Sequence, residues 1–344
     1  MKWEQAEKIQ REMGKMILRC SSKMANEVVL GELGWWTLKG RRDFLTLNYW
    51  GKIVGGMSPS RLVYHVYHTS RSRYDAHHNS KNNHMRNMNK WCSNIHTLLK
   101  SMNMEDAWQN NKLEQSEAKQ WRTTIKTNIR EREEAQWKER MQQKPKLRTY
   151  RQLKTELRFE GYLMTRDREA REVMTRLRGG TNELRIETGR YPITNRDRPL
   201  DVKERRCLIC LNGETEDETH FMLDCEEYED LRQRMLDVVS RTLSKQLQPK
   251  IEIEKARKTE EGRKKIMAAL MGEMFTSEPE LRAAALHFCK RAMNAETLSF
   301  GKGWIKRHEK LCGQFLILKT QSAEGNSAKA REREGSERCR SASQ

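Results

Sequence analysis

Long apolar runs are absent from this sequence. No stretch is apolar enough to cross a lipid bilayer, and none has the layout of a signal peptide. Without a secretory signal a disulfide framework is not expected, so the eight cysteines should be reduced thiols that can bind a metal. We therefore expect an intracellular protein of the nucleus or the cytoplasm that is neither secreted nor embedded in a membrane.

Core-forming residues are scarce as well. Hydrophobic residues make up 36% of the 344 positions, and charged residues make up 33%. Such a composition favours helices with solvated faces over a single compact globule. We predict a mainly α fold: an elongated helical array with a small zinc-stapled module and a disordered C-terminal tail.

Acidic residues are too few to balance the basic ones. Lysine and arginine outnumber aspartate and glutamate by 67 to 48, which gives a net charge of +19. This excess favours a polyanionic partner, and nucleic acid before a membrane surface. The alternative is a basic protein whose charge serves only to keep it in solution.

Four candidate metal ligands follow one another closely and form what we call the CCHC site: Cys207, Cys210, His220 and Cys225. Three thiols and one imidazole are the donors that a tetrahedral Zn²⁺ takes in a closed structural site, which leaves no position for water. We therefore predict a structural zinc ion. His220 and Cys225 would lie about 140° apart on an ideal helix, so a turn should separate them, with Cys225 at the start of a helix over 226–247.

Helical periodicity organises most of the remaining chain. Residues 1–19 carry an apolar stripe that predicts the core face of a helix: Trp3, Ala6, Ile9, Met13, Met16, Ile17 and Cys20. Residues 104–143 lack proline and glycine and predict one long helix, whose narrow apolar stripe is interrupted at Glu133. The predicted organisation is a thumb-like helical subdomain (1–72), a polar basic linker (73–103), a long helix with an arginine-rich helical linker (104–195), the zinc module with its following helix (196–247), C-terminal helices (248–320) and a disordered tail (321–344).

The most basic ordered segment begins at residue 144 and leads up to the first zinc ligand. Arginines bind phosphates in a bidentate manner, and interleaved aromatic rings such as Tyr150 and Tyr162 can stack on unpaired bases. We predict contacts with RNA and/or DNA through residues 144–206, which we call the basic set: Arg148, Arg151, Lys154, Arg158, Arg176, Arg178, Arg185, Arg190, Arg196, Arg198, Lys203, Arg205 and Arg206. The alternative is a pair of amphipathic helices whose arginines stay solvated.

Four stretches of the sequence together resemble the region downstream of the polymerase core in non-LTR retrotransposon reverse transcriptases. They are Leu-Gly-Glu-Leu-Gly-Trp-Trp (30–36), the run from Arg41 to Trp50, Leu-Arg-Gly-Gly-Thr-Asn-Glu-Leu (177–184), and the CCHC site followed by Tyr228 and Arg232. The resemblance covers roughly residues 10–235. It implies a helical thumb and linker that lead to a zinc module, which helps to hold template RNA or target DNA.

The catalytic elements of that family have no counterpart in this sequence. Its palm carries a Tyr-Ala-Asp-Asp-type turn whose paired carboxylates hold two metal ions, whereas Tyr74-Asp75-Ala76 is followed here by histidines. An apurinic-type endonuclease domain is also missing. We therefore expect no enzymatic activity and no small-molecule substrate, and we interpret the chain as the C-terminal portion of such a polyprotein.

Acidic residues around the CCHC site support a rival hypothesis of a different class. Nine carboxylates lie between Cys210 and Leu231 and would repel phosphates at close range: Glu214, Glu216, Asp217, Glu218, Asp224, Glu226, Glu227, Glu229 and Asp230. In the rival hypothesis the chain is a structural or protein-interaction protein, and its zinc module is a docking staple. In the leading hypothesis the module only orients the arginines before it, which make the contacts.

Overall fold

A computed structural model describes residues 3–78, 90–192, 198–246, 253–272 and 278–294. The chain divides into two compact units, residues 1–286 and 287–344. All residues beyond 294, including the predicted disordered tail (321–344), lie outside the described residues.

The named helices are, in chain order, α1 (Trp3–Leu18), α2 (Asn26–Leu33), α3 (Leu38–Val54), α4 (Leu62–His78), α5 (Lys90–Ser101), α6 (Glu105–Asn110), α7 (Gln115–Gln142), α8 (Arg148–Leu153), α9 (Arg168–Arg178), α10 (Arg185–Thr188), α11 (Glu229–Gln246), α12 (Ile253–Arg257) and α13 (Glu260–Met271). Residues 279–294 are also helical. Within the described ranges there are two isolated β-bridges and no strand, so the prediction of a mainly α fold is confirmed. None of the helices in these ranges is long and apolar enough to cross a membrane.

Helix α7 is the element on which two hydrophobic cores meet. Its N-terminal half, including Trp121 and Ile125, packs with α3, α4, α5 and α6. Its C-terminal half, including Trp137, packs with α2 and the 147–157 segment. The predicted narrow apolar stripe of the long helix is therefore confirmed, because its side chains recur at four-residue intervals and are all buried.

The expected interruption of this stripe at Glu133 is itself part of the packing. The Glu133 carboxylate is buried and accepts hydrogen bonds from the Thr37 backbone N–H (3.0 Å) and hydroxyl (2.7 Å), where Thr37 caps α3. Gly40 lies against the same carboxylate, since a Cβ there would come within 2.6 Å of it. A charged side chain thus joins α7 to the start of α3.

The start of the long helix was predicted wrongly. The chain leaves the helical path after α6, where Asn111 adopts a left-handed conformation with φ of 49°, and α7 begins only at Gln115. Glu114 and Glu117 form a reciprocal capping box that fixes this new start. The absence of proline and glycine could not reveal a break made by an asparagine and a cap.

The predicted core face of α1 was also wrong. Ile9, Met13, Met16 and Ile17 are exposed, and α1 instead buries the face that carries Gly14. The missing side chain at Gly14 admits Val29 of α2, since a Cβ on Gly14 would lie 2.3 Å from a Val29 methyl carbon. Close backbone approach therefore decides which face is buried, and the apolar stripe remains at the surface.

The predicted linker over 73–103 is helical at both ends. Helix α4 continues to His78, and α5 occupies 90–101 with Cys92 and Ile95 buried in the first core. Arg71 explains part of this extension, because its guanidinium lies 3.4 Å from the centre of the Trp108 ring and donates to the Trp108 carbonyl. Only the middle of the predicted linker, 79–89, lies outside the described residues.

Four charged side chains form a buried cluster between α2, α9 and the segment 154–160. Arg178 donates through Nε (3.1 Å) and Nη2 (2.9 Å) to one carboxylate oxygen of Glu32, and it also lies 3.4 Å from Glu160. Lys154 donates to the other side of the cluster at Glu160. Two cations and two anions balance each other, which is the condition under which charges remain ionised in a protein interior.

This cluster generates a stability prediction. We expect Arg178→Met to lower the free energy of unfolding by about 3–5 kcal/mol, because Glu32 and Glu160 would be left with too little positive charge in a buried site. The matched control is Arg176→Met on the same helix, whose partner Glu183 is exposed, and it should cost less than about 1 kcal/mol. Urea unfolding of both variants measures the difference, and equal losses would contradict the assignment.

Candidate metal centre and basic surface

Backbone hydrogen bonds close the loop that carries the first two thiols. Arg206 pairs with Thr215 in an isolated antiparallel bridge, and the Cys207 N–H donates to the Glu214 carbonyl at 2.8 Å. The chain therefore reverses direction between Cys207 and Glu214, and Cys210 lies within this loop. This loop brings both sulfurs to the other two candidate ligands.

A single π-helical turn, His220–Asp224, joins the imidazole to the last thiol. Asp217 caps its start by accepting the His220 N–H at 2.8 Å, and the Cys225 N–H closes it on the His220 carbonyl at 2.8 Å. Cys225 then directly precedes a 3₁₀ turn and α11. The prediction of a turn between these two ligands, with Cys225 at the start of a helix, is confirmed.

The CCHC site brings all four predicted ligands together. Their donor atoms lie within 4.8 Å of one another. The sulfurs of Cys207 and Cys225 are 4.0 Å apart, and the Cys210 sulfur lies 3.5 Å from Nε2 of His220. Three of the four side chains are buried and Cys210 is half-buried, so the group is closed on most sides. These residues could hold a metal ion.

Two carboxylates, those of Glu214 and Glu216, contact the ligands of the CCHC site. Nδ1 of His220 lies 3.0 Å from a carboxylate oxygen of Glu214, which leaves Nε2 directed at Cys210. The Cys207 thiol lies 3.4 Å from the carboxylate of Glu216. A carboxylate that fixes the outer nitrogen of a metal-binding histidine is a common feature of metal sites, because it sets the ring tautomer and orientation.

Titration of the ligands follows from this crowding. A hydrogen bond to Cys225 and then burial raise the pKa of the Cys207 thiol, and burial raises the pKa of Cys210. Burial alone would lower the pKa of His220, but its hydrogen bonds to Cys207 and Glu214 raise it. Without a metal the Cys207 and Cys210 thiols are therefore protonated near neutral pH, and a metal ion must displace their protons as it binds.

Arginines from three later helices hold the π-helical turn in place. Arg232 of α11 is fully buried and donates to the carbonyls of Met222 (3.0 Å) and Cys225 (2.6 Å). Tyr228 packs edge-on against Phe221, with ring centres 5.4 Å apart. The Tyr and Arg that follow the ligands in the sequence thus support the site from behind.

Two further arginines were missed by the sequence reasoning. Arg263 of α13 binds Asp224 in a bidentate pair at 2.9 and 2.5 Å, and Arg257 of α12 donates to the Leu223 carbonyl. They follow the last ligand at a distance in the chain, where no spacing or motif connects them with the metal site. Only the folded arrangement of α12 and α13 reveals the contact.

Two of the acidic residues before His220, Glu216 and Glu218, are buried and do not face solvent as expected. Glu218 is buried and accepts hydrogen bonds from Arg148 (2.6 Å) and the Thr149 hydroxyl (3.0 Å). Glu216 accepts the Arg185 N–H at 2.7 Å at the start of α10. The interpretation that these two carboxylates meet a phosphate at close range is therefore wrong, because both are buried where the loop packs on the basic segment, and Glu218 is paired with Arg148.

Three members of the basic set are buried, and for them the predicted contact with nucleic acid is wrong. Lys154 and Arg178 belong to the buried charge cluster. Arg205 is buried and donates to the carbonyls of Leu200 (2.8 Å) and Ile186 (2.9 Å), where it joins the approach to the metal site to α10. A side chain enclosed in this way cannot reach a phosphate in solution.

Other members of the basic set are paired with carboxylates, of which Glu187 is buried and Glu204 is exposed. Glu187 binds both Arg148 and Arg190 at 2.9 Å, and Glu204 binds Arg198 at 2.7 Å. Arg196 lies outside the described residues. Arg158 and Arg176 each lie 3.6 Å from a solvent-accessible carboxylate, of Glu156 and Glu183 respectively. These two and the remaining members are exposed or half-buried: Arg151, Arg158, Arg176, Arg185, Lys203 and Arg206. For these the contact with nucleic acid stays a prediction.

Comparison of the chain with protein-family models, with curated proteins and with solved structures finds no significant match.

The support of His220 by Glu214 generates a prediction about metal affinity. We expect Glu214→Ala to weaken metal binding about 10- to 100-fold, because the imidazole loses the carboxylate that fixes its orientation. Competition of the purified protein with a chromogenic chelator measures the affinity. Glu226→Ala, an exposed carboxylate beside the last ligand, is the control and should bind metal as the native chain does. Equal affinities for all three proteins would contradict the role of Glu214.

Proposed function

We propose that the chain is a zinc-dependent nucleic-acid-binding protein, the C-terminal portion of a reverse transcriptase polyprotein derived from a non-LTR retrotransposon. It carries no polymerase or endonuclease activity of its own, and it acts in the nucleus or the cytoplasm. The CCHC site is the observation that carries the proposal. The sequence resemblance that ends in Tyr228 and Arg232 supports the origin, and both residues pack behind the metal site.

Zinc fits the CCHC site better than other common metals. Thiolates and imidazole are the donors that Zn²⁺ prefers in closed structural sites, and a tetrahedron with bonds of about 2.3 Å has edges of about 3.8 Å. The separations of 4.0 Å between two sulfurs and 3.5 Å between sulfur and nitrogen agree with this size. With four protein donors, zinc here stabilises the fold and has no open position for catalysis.

The role of such an ion follows from what surrounds it. It would join the 206–215 loop, which contacts α10 through Glu216, to the turn that α11, α12 and α13 hold through their arginines. The ion therefore couples the basic segment to the C-terminal helices of the first unit. This supports the hypothesis that the module positions the basic surface and does not itself read the nucleic acid.

Charge supports nucleic acid as the partner. The chain carries a net charge of +19, and several of its carboxylates, such as Glu32, Glu187 and Glu218, are already consumed by internal pairs. Because each such pair also consumes a cation, the charges outside these pairs keep an excess of cations over anions. Displacement of counterions from phosphates by such a surface gives favourable binding at low salt.

Zinc dependence is tested on the purified full chain. We expect about one zinc ion per molecule, and we expect Cys207→Ser to lose the metal and to unfold at lower temperature, because a tetrahedral site needs all four donors. Mass spectrometry under native conditions and thermal unfolding measure both effects. The control is Cys20→Ser, a half-buried thiol of another part of the fold, which should keep its zinc. A chain without zinc, or a C207S variant that retains both metal and stability, would sink this part of the proposal.

Nucleic-acid binding is tested by its dependence on salt. We expect the affinity for single-stranded RNA and for duplex DNA to fall steeply with added salt, with a log–log slope of about −0.7 to −0.9 per phosphate contacted. Fluorescence anisotropy between low and moderate ionic strength measures the slope for each ligand. A slope near zero would argue against direct contact with phosphates, and comparison of the two ligands shows which one is preferred.

A protein-interaction role is the second candidate, and the exposed face of α1 favours it. Ile9, Met13, Met16 and Ile17 form a contiguous apolar stripe at the surface, which is typical of a site that another protein covers. In this case the zinc module is a docking staple. Protein partners that remain bound after nuclease treatment, and that are lost on Met13→Glu, would favour this candidate.

A further inference from the structure

An open groove of 560 Å³ lies where the end of α3, the turn that leads to α4 and the first half of α7 meet. Three cations line it, one from each of these elements: Lys52, Arg61 and Arg122. All three side chains are exposed. The groove therefore collects positive charge from parts of the chain that are far apart in sequence.

No carboxylate lines this groove, and none within the described ranges forms an ion pair with its three cations. The acids near the start of α7 are otherwise engaged, because Glu114 and Glu117 cap the helix and each accepts the other's backbone N–H. On α3, the buried Asp43 is bound by Lys39 and Arg132, each at 2.8 Å. The cations of the groove thus differ from Arg148 and Arg190, which share Glu187.

The floor of the groove lets a ligand approach the backbone. Gly51, Gly55 and Gly56 line it, and a Cβ on Gly56 would meet no atom within 4 Å, so the backbone there is open to a ligand. Gly51 is required by packing, since a Cβ there would lie 2.0 Å from the Trp121 ring, and Gly56 has a φ of +130°. Trp121 is buried beneath the groove and donates to the Leu47 carbonyl, so that it forms a rigid base. Glycines at such positions are typical of sites where a ligand lies close to the main chain.

The basic surface continues beyond the groove along α7. Lys126 follows Arg122 by one helical turn, so both side chains project from the same face. Lys126 is exposed, and no ion pair joins it to a carboxylate of the described chain. Like charges placed together in this way repel one another in the free protein and are stabilised by a polyanion. A chain of phosphates supplies the matching charge at several points at once.

We propose that this groove binds the phosphate backbone of a single-stranded nucleic acid, with Lys52, Arg61 and Arg122 as its phosphate contacts. The inference rests on the proposed nucleic-acid binding and deepens it. It places a main contact in the first helical part of the chain, whereas the sequence had placed all contacts between residues 144 and 206. The Ser58 hydroxyl at the rim adds a neutral polar group that can hydrogen-bond to a phosphate.

The test compares three variants of the full-length protein by anisotropy with a single-stranded RNA of about 30 nucleotides. The first carries K52Q, R61Q and R122Q together and removes the charge of the groove. The second carries K8Q, R234Q and K258Q, which removes the same charge from exposed positions on three other segments, none of them in the basic set. The third, K52R with R61K and R122K, keeps the charge of the groove. Thermal unfolding and zinc content confirm that each variant is folded.

We expect the groove variant to lose about tenfold or more in affinity, and its salt dependence to become shallower by about 2 in log–log slope, because three phosphate contacts disappear. The charge-keeping variant should bind within a few-fold of the native chain, and the distributed variant should keep most of the slope.

Two results would overturn the assignment of the groove while leaving the proposed function intact. One is native binding by the groove variant, and the other is an equal loss in the groove and distributed variants, which would mean that only net charge matters. A native chain whose affinity does not respond to salt would instead remove both the proposed function and this site.

Discussion

The buried charge cluster around Arg178 is the interaction on which the arrangement of the helices depends. Its guanidinium binds Glu32 of α2 and Glu160 of the segment 154–160. It also donates to the Met271 carbonyl at the end of α13. Burial opposes the charge of Lys154 and lowers its pKa, while Glu160 counteracts this effect. Each charge is tolerated only because the others are present. The buried ion pairs therefore fix the relative positions of segments that are far apart in sequence, and apolar packing does the same.

The use of arginines in internal hydrogen bonds and ion pairs also explains how so basic a chain forms ordered helices. Arginines are used inside the fold as hydrogen-bond donors. Arg232 donates to the Met222 carbonyl, Arg205 donates to the Ile186 carbonyl, and Arg263 binds the Asp224 carboxylate. The planar guanidinium suits this task because it presents several donors in fixed directions. The number of basic residues in a segment therefore includes arginines that stabilise the fold as well as arginines that are available to a ligand.

The CCHC site and the basic groove differ in how their charged side chains are surrounded. The CCHC site is closed by protein donors, and its nearby carboxylates Glu214, Glu216 and Glu218 orient ligands or pair with arginines. It is suited to hold segments together. The groove at Lys52 and Arg122 has the opposite character, with exposed cations, a glycine-lined floor and no carboxylate. The residues suited to holding the fold together and the residues suited to phosphate contacts thus lie in different parts of the first unit.

Local patterns in the sequence determined the mainly α fold, the buried stripe of α7 and the four members of the CCHC site, because each depends on residue types at short, regular spacing. The buried face of α1 was decided by tertiary structure, since the close approach of Gly14 to Val29 outweighs the larger apolar stripe. Tertiary structure also decided which cations are free. Arg178 finds Glu32 across 146 residues, and Lys52 lies beside Arg122 without an acid between them. Whether a charge is neutralised depends on neighbours that only the folded chain brings together, and no local spacing encodes it.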